Sequence, residues 1–249
     1  MSEHILKNPT RSAAPLSHFP IGGITPLTTI DFPGRLAAVL YTQGCPWRCV
    51  YCHNASLWPF CDGDPKLEVA TLEIFLKSRI GLLDGVVFSG GEPTVHDALG
   101  DLMQWVRGMG FEIGLHTNGM FPEKLREILP LCHWVAMDVK APPSEYDTIT
   151  QRLRSSAGVF ESAQLLCESG VSYEFRTTFH PDLLSEGDLL DIAQSLVALG
   201  AKNYALQIFK SSPCVNGEWM KRARGGPILI SEPLLKYFKT HFESFVLRN

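Results

Sequence analysis

This chain contains no apolar run near the roughly 20 residues that a membrane-spanning helix requires, so it is expected to be soluble, with no membrane partner. Basic charge is not in excess either: 22 Lys and Arg stand against 26 Asp and Glu, a net charge of −4. Without basic runs there is no electrostatic footprint for a nucleic-acid partner. The N-terminal stretch has no continuous apolar segment of the secretory-signal kind. Pro9, Pro15 and Pro20 interrupt it and Glu3 adds an acid, so residues 1–20 are expected to be a flexible leader. No internal repeat, low-complexity tract or clear linker divides the remainder. Residues 21–249 are therefore expected to form one core domain with a C-terminal extension. The seven cysteines are odd in number and unevenly spaced. A secreted disulfide scaffold is short and even in its count, so reduced thiols and a cytoplasmic location are expected.

What is present is an ordinary globular composition, 45% hydrophobic and 19% charged over 249 residues, ample for a sizeable core. Short apolar runs at residues 36–41, 85–89, 111–115, 134–137, 173–178 and 204–209 read as buried strands. Between them, residues 67–80, 97–109, a short piece from 122, 158–169 and 183–199 carry helical spacing. A further helix is expected at 232–241 and a short strand at 245–247, while 21–33, rich in Gly, Thr and Pro, reads as a turn-laden approach. Alternation of this kind implies parallel strands covered by helices. Polar residues gather at the C-terminal ends of successive strands, from Cys45 through Ser89, His116 and Asp138 to Arg176. A barrel builds its site on that edge from several strands at once, whereas an open sheet concentrates it at one switch point. The expected fold is α/β, a partial (β/α)6 TIM-like barrel.

The densest chemistry lies in Cys45-Pro-Trp-Arg-Cys49-Val-Tyr-Cys52-His53-Asn54, three thiols at C-x3-C-x2-C just after the first strand. Three thiolates on an iron–sulfur cube leave one iron open for another ligand. Three cysteines with His53 could instead close a structural zinc site, and Cys49-Val-Tyr-Cys52-His53 also fits the C-x-x-C-H of haem attachment. Cys61, Cys132, Cys167 and Cys214 are scattered and read as small, mostly buried residues. Trp47, Trp58 and Trp219 are expected near the mouth of the site, as core or rim packing rather than a partner contact.

In order along the chain, the cysteine loop, Gly90-Gly91-Glu92-Pro93 and the polar ends of strands three to five resemble the radical S-adenosylmethionine (SAM) superfamily. Residues 44–54 resemble the activating enzymes of glycyl-radical proteins. Residues 29–34, 135–140 and 174–178 are most similar to activating proteins of anaerobic ribonucleoside-triphosphate reductase. The resemblance implies an oxidoreductase with a [4Fe–4S] cluster on Cys45, Cys49 and Cys52, metal-binding and working anaerobically. It implies reductive cleavage of SAM to methionine and a 5′-deoxyadenosyl radical that abstracts hydrogen from a partner's glycine. The implied SAM contacts are Tyr51 near the adenine, Gly90 and Gly91 at the methionyl amine, and Glu92 accepting from it. His116, Thr117, Asn118, Asp138, Lys140, Arg176 and Gln207 are implied around the same cavity. Related activators often carry Asp where this chain has His116, in a run that helps hold a monovalent cation. The implied partners are a glycyl-radical enzyme and a flavodoxin or ferredoxin-type electron donor. A radical SAM enzyme acting on a small molecule, and a non-catalytic zinc-binding module, are the alternatives.

Overall fold

The computed structural model describes residues 16, 18–60, 67–210 and 229–248. Cys61, Cys214, Trp219 and most of the expected leader lie outside the described residues. One sheet of eight strands runs in sequence order: β1 (Ile21–Thr28), β2 (Ala37–Thr42), β3 (Gly85–Gly90), β4 (Glu112–Thr117), β5 (Trp134–Asp138), β6 (Ser172–Phe179), β7 (Asn203–Ile208) and β8 (Ser244–Arg248). From β2 to β8 every neighbouring pair is parallel, and β1 pairs antiparallel with β2. The helices are α1 (Val69–Lys77), α2 (Leu99–Gly108), α3 (Pro122–Ile128), α4 (Tyr146–Thr150), α5 (Val159–Glu168), α6 (Glu186–Ala198) and α7 (Glu232–His241). This is the α/β partial barrel expected from the sequence, and the short strand expected at 245–247 joins it as β8, parallel to β7. No described helix is long and apolar enough to cross a membrane.

The strands carry apolar residues on both faces because both faces are covered. Leu40, Val86, Phe88, Ile113, Leu115, Val135 and Met137 point outward into the large core shared with the helices. Ala37, Val39, Val87, Trp134 and Ala136 point inward and form a second cluster, capped by Phe32 from the β1–β2 connection. Phe32 stacks on Trp134 with ring centroids 6.0 Å apart. Side chains alternate between faces along a strand, so the inward row continues from these residues to Ser89, His116 and Asp138 at the C-terminal edge.

Two elements differ from expectation. Residues 21–28 form β1 rather than a turn-laden approach; its register shifts between Ile21 and Gly23 and again between Thr25 and Thr28. Pro26 falls inside the second irregularity, where a missing N–H costs no ladder bond, and an edge strand tolerates this. The short helix α4 has too few turns to give any periodic signal. Gln151 ends it in a left-handed conformation (φ 55°).

Candidate active site

The three cysteines and every expected contact from Tyr51 to Gln207 line one cavity of about 330 Å³ at the C-terminal edge of the barrel. Its volume falls in the range of small-molecule and cofactor pockets. Trp47, Trp58 and Ser89, expected near the mouth or on its edge, also line it, as do His53, Asn54 and Thr178, which were not among the implied SAM contacts. Ser89 belongs to the strand-end polar row expected from the sequence, and Thr178 could have been found by strand parity, since it follows Arg176 by two residues on β6.

The cysteine loop is held almost entirely by its own backbone. The amides of Gly44 and Cys45 donate to the carbonyls of Leu57 (2.8 Å) and Trp58 (3.1 Å). The amides of Arg48 and Val50 donate to the carbonyls of Thr150 (2.9 Å) and Ile149 (3.0 Å) at the end of α4. Arg48 Nη1 folds back onto the carbonyls of Cys45 (2.6 Å) and Trp47 (2.8 Å), and its guanidinium lies over the Trp58 ring. Cys45 and Cys49 are buried, Cys52 is half-buried, and none of the three is in a disulfide.

These thiols suit a cluster. Burial pushes Cys45 up to about 12 and Cys49 up to about 11, so the protein alone does not stabilise their thiolates. A cationic metal centre would do so, because coordination removes the thiol proton. Among the described residues no three His, Cys, Asp or Glu side chains converge on the point that a single ion would occupy. His53, the fourth ligand of a closed zinc site, has Nε2 2.9 Å from the Lys210 carbonyl and stacks on Phe209. Tyr51 Oη and Trp47 Nε1 are buried without a hydrogen-bond partner, and both residues line the cavity. Such orphaned groups suit a polar ligand.

Beyond β3 the chain presses its backbone against the cysteine loop. A Cβ at Gly91 would lie 2.1 Å from the Gly44 carbonyl oxygen, and one at Gly90 (φ 114°) would lie 2.5 Å from both N and O of Thr42. The two glycines are thus required by close packing of the chain on itself, before any ligand is considered. Glu92, 1% exposed, ties the ends of β3 and β4 together. Its Oε1 accepts from the Thr94 amide (3.0 Å), the Thr94 hydroxyl (2.6 Å) and the Thr117 hydroxyl (2.7 Å), and its Oε2 from the Asn118 amide (2.7 Å). Burial pushes its carboxyl up, against these donors, which favour the ionised form. Most of its acceptor capacity is thereby used within the protein.

On the opposite wall Lys140 Nζ donates to Asp138 Oδ2 (2.8 Å) and sits 5.6 Å from the centre of the Tyr51 ring. Burial works against the Lys140 ammonium, yet the charge of Asp138, helped by Tyr51 and Cys49, holds it well above its ordinary value. Burial likewise opposes ionisation of Asp138, and Lys140 and Arg176 overcome it. Arg176 Nε donates to Glu174 (2.8 Å), and its guanidinium lies 5.1 Å from the centre of the Trp134 ring. Arg248 of β8 grips the same Glu174 with two bonds (2.7 and 2.8 Å). His116 Nε2 is 3.1 Å from the Asp31 carbonyl and Nδ1 3.5 Å from the Ser89 hydroxyl. Burial, then the nearby Arg176 charge, lowers it to about 4, so the ring is neutral at neutral pH. A second cavity of about 480 Å³ shares His53, Arg176, Thr178 and Gln207 with the first and continues along Ile30, Asp31, Phe209 and Arg248.

The comparisons with known proteins agree with this geometry. Residues 39–196 match the model of the radical SAM superfamily. A protein of Methanocaldococcus jannaschii named as a glycyl-radical enzyme activating enzyme is 31% identical over 208 residues, covering 81% of this chain and 84% of its own. The pyruvate formate-lyase 1-activating enzyme of Escherichia coli K12 is 29% identical over 172 residues, covering 64% and 67%. Among solved structures, QueE from Escherichia coli superposes with a TM-score of 0.53 at 15% identity, over 96% of this chain and 99% of its own. Streptococcus suis SuiB bound to S-adenosylmethionine gives 0.58 at 13% identity; 85% of this chain covers 46% of SuiB, about half its length. Those two likenesses speak for the fold alone. Family match, relatives and cavity converge: the chain belongs to the radical SAM superfamily, in its glycyl-radical-enzyme activating branch, whose members work with a [4Fe–4S] cluster and S-adenosylmethionine.

Proposed function

We propose that this chain installs a glycyl radical on a partner enzyme, anaerobic ribonucleoside-triphosphate reductase, in the cytoplasm and with a flavodoxin or ferredoxin-type electron donor. The observation that carries the reading is the single cavity in which three thiols, two buried and one half-buried, face the ends of β3 to β7. Cys45, Cys49 and Cys52 would hold a [4Fe–4S] cluster, which would supply the one-electron reduction on which cleavage of SAM depends.

The remaining work falls to the chain's own groups. Tyr51, with an unpartnered buried hydroxyl, offers a ring and a polar tip to the adenine end. Gly90 and Gly91 present backbone groups, Gly91 fixed by its amide bond to the Thr42 carbonyl, beside Thr117 and Asn118, which are held in place by Glu92. Asp138, Lys140 and Arg176 offer paired charges to the methionyl amine and carboxylate. His116 enters as a neutral ring, and Gln207 closes the wall beside Thr178. The second cavity, bounded by Ile30 and Asp31 on one side and Arg248 on the other, gives a protein segment a route toward the same residues.

The choice of reductase rests on the three sequence segments 29–34, 135–140 and 174–178, which meet around Trp134 and His116. Phe32 stacks on Trp134, the Asp31 carbonyl meets His116, and Arg176 lies over Trp134 beside Asp138. The test is anaerobic incubation of the chain with reductant, SAM and the reductase, followed by electron paramagnetic resonance. A glycyl-radical signal that needs all three additions is expected. SAM cleavage without that signal on the reductase would overturn the choice of partner and favour another glycyl-radical enzyme or a small-molecule substrate.

A further inference from the structure

The loop that carries the cysteines is anchored on the segment that begins with α4. A helix leaves its last carbonyls without intrahelical partners, and here the Arg48 and Val50 amides take up those of Thr150 and Ile149. The geometry after α4 is unusual. Gln151 (φ 55°) and Arg154 (φ 58°) are both left-handed without being glycine, a conformation that persists only where surrounding contacts enforce it. Asp147 supplies that enforcement: Oδ2 accepts from the Arg154 amide (2.8 Å), and Oδ1 from the amide and hydroxyl of Ser155 (2.8 Å each). The Ser155 hydroxyl also lies 2.7 Å from that of Thr150, and Arg152 Nη1 reaches the Pro46 carbonyl (3.2 Å).

The two anchored amides flank Cys49 in sequence. Amides in a cluster-binding loop are the natural donors to cluster and thiolate sulfur, and such bonds raise the reduction potential because reduction adds negative charge to sulfur. An amide already 2.9 or 3.0 Å from a carbonyl is withdrawn from that role. We propose that the turn closed by Asp147 keeps the potential of the cluster low by drawing the Arg48 and Val50 amides outward onto α4, with Asp147 as a positioning residue. This rests on the reading that Cys45, Cys49 and Cys52 carry the cluster.

The test compares wild type with Asp147→Ala and Asp147→Asn, the latter keeping the Oδ1 acceptor. Amide hydrogen exchange across residues 46–52 of the cluster-free chain should show slow exchange at Arg48 and Val50 in wild type. Asp147→Ala should raise it at least tenfold, and Asp147→Asn should restore much of the protection. In reconstituted protein, Asp147→Ala should favour the reduced cluster at least tenfold, a rise of about 59 mV for one electron. If Asp147→Ala does not fold, Arg152→Ala, which removes only the bond to Pro46, should move exchange and potential in the same direction by a smaller amount. Fast exchange at both amides in wild type would overturn the proposal, as would freed amides with an unchanged potential. If wild type takes up no iron and sulfide, the reading of the cysteines fails instead, and the exchange result still reports on the anchor.

Discussion

Replacing Glu92 by Gln separates two roles for this residue. Its carboxylate receives four donors, three on Oε1 and one on Oε2. A Gln side chain keeps the crowded oxygen best by turning its NH2 toward the Asn118 amide, placing donor against donor. One buried N–H then loses its partner, at about 1–3 kcal/mol, and three charge-assisted bonds become neutral ones, at about 1 kcal/mol each. Relief from burying an ionised carboxylate offsets part of this. A net loss of about 3 kcal/mol is expected, read from urea unfolding of the cluster-free protein as a lower midpoint at unchanged slope. SAM affinity of reconstituted protein should then fall only as far as the Thr117–Asn118 wall is displaced. A variant within about 1 kcal/mol of wild type that has lost SAM binding tenfold or more would refute the reasoning. It would assign the carboxylate to the ligand's amine, as the family resemblance implies.

Gly91→Ala drives a methyl group to 2.1 Å from the Gly44 carbonyl oxygen, with backbone fixed on both sides by bonds to Thr42 and Gly44. A loss of about 3 kcal/mol and reduced iron uptake are expected from thermal unfolding and iron analysis. His116 is lowered to about 4 from 6.5, so between these values the unfolded chain binds more protons. The stability it contributes is complete above about pH 6.5 and is lost as pH falls toward about 4. Unfolding midpoints across that range should fall more steeply in wild type than in His116→Gln, and parallel curves would refute this. Arg248→Ala removes two bonds from Glu174 in a half-exposed setting and should cost about 1–2 kcal/mol. Arg248→Lys should recover little of that loss, because an ammonium cannot reproduce the planar two-bond grip.

The parts of the fold legible in the sequence were those with a local signature. Buried parallel strands announce themselves as apolar runs, and the residues at their ends reach one cavity because parallel strands all present the same edge. Strand β1 escaped because Gly22, Gly23 and Pro26 imitate a turn, and only pairing with β2 makes those residues a strand. The anchor on α4 escaped for a related reason. It acts through the carbonyls of Ile149 and Thr150, and a backbone carbonyl leaves no trace in residue identity. The roles of Gly90, Gly91 and Glu92 were legible as a site but not in their physical cause. Their neighbours are Thr42, Gly44, Thr94, Thr117 and Asn118, some of them distant in sequence. Arg248 could not be tied to Arg176 from sequence, since Glu174 joins them only once β6, β7 and β8 lie side by side.

The three thiols and the facing strand ends are proposed to form one site for a cluster and SAM. The most direct test is anaerobic reconstitution of wild type and Cys45→Ala, each assayed for iron, sulfide and 5′-deoxyadenosine after reduction in the presence of SAM. Wild type should take up about four irons with labile sulfide and form 5′-deoxyadenosine, while Cys45→Ala should do neither in full. Reductive SAM cleavage retained by Cys45→Ala, or a wild-type protein that binds zinc and no sulfide, would contradict the account.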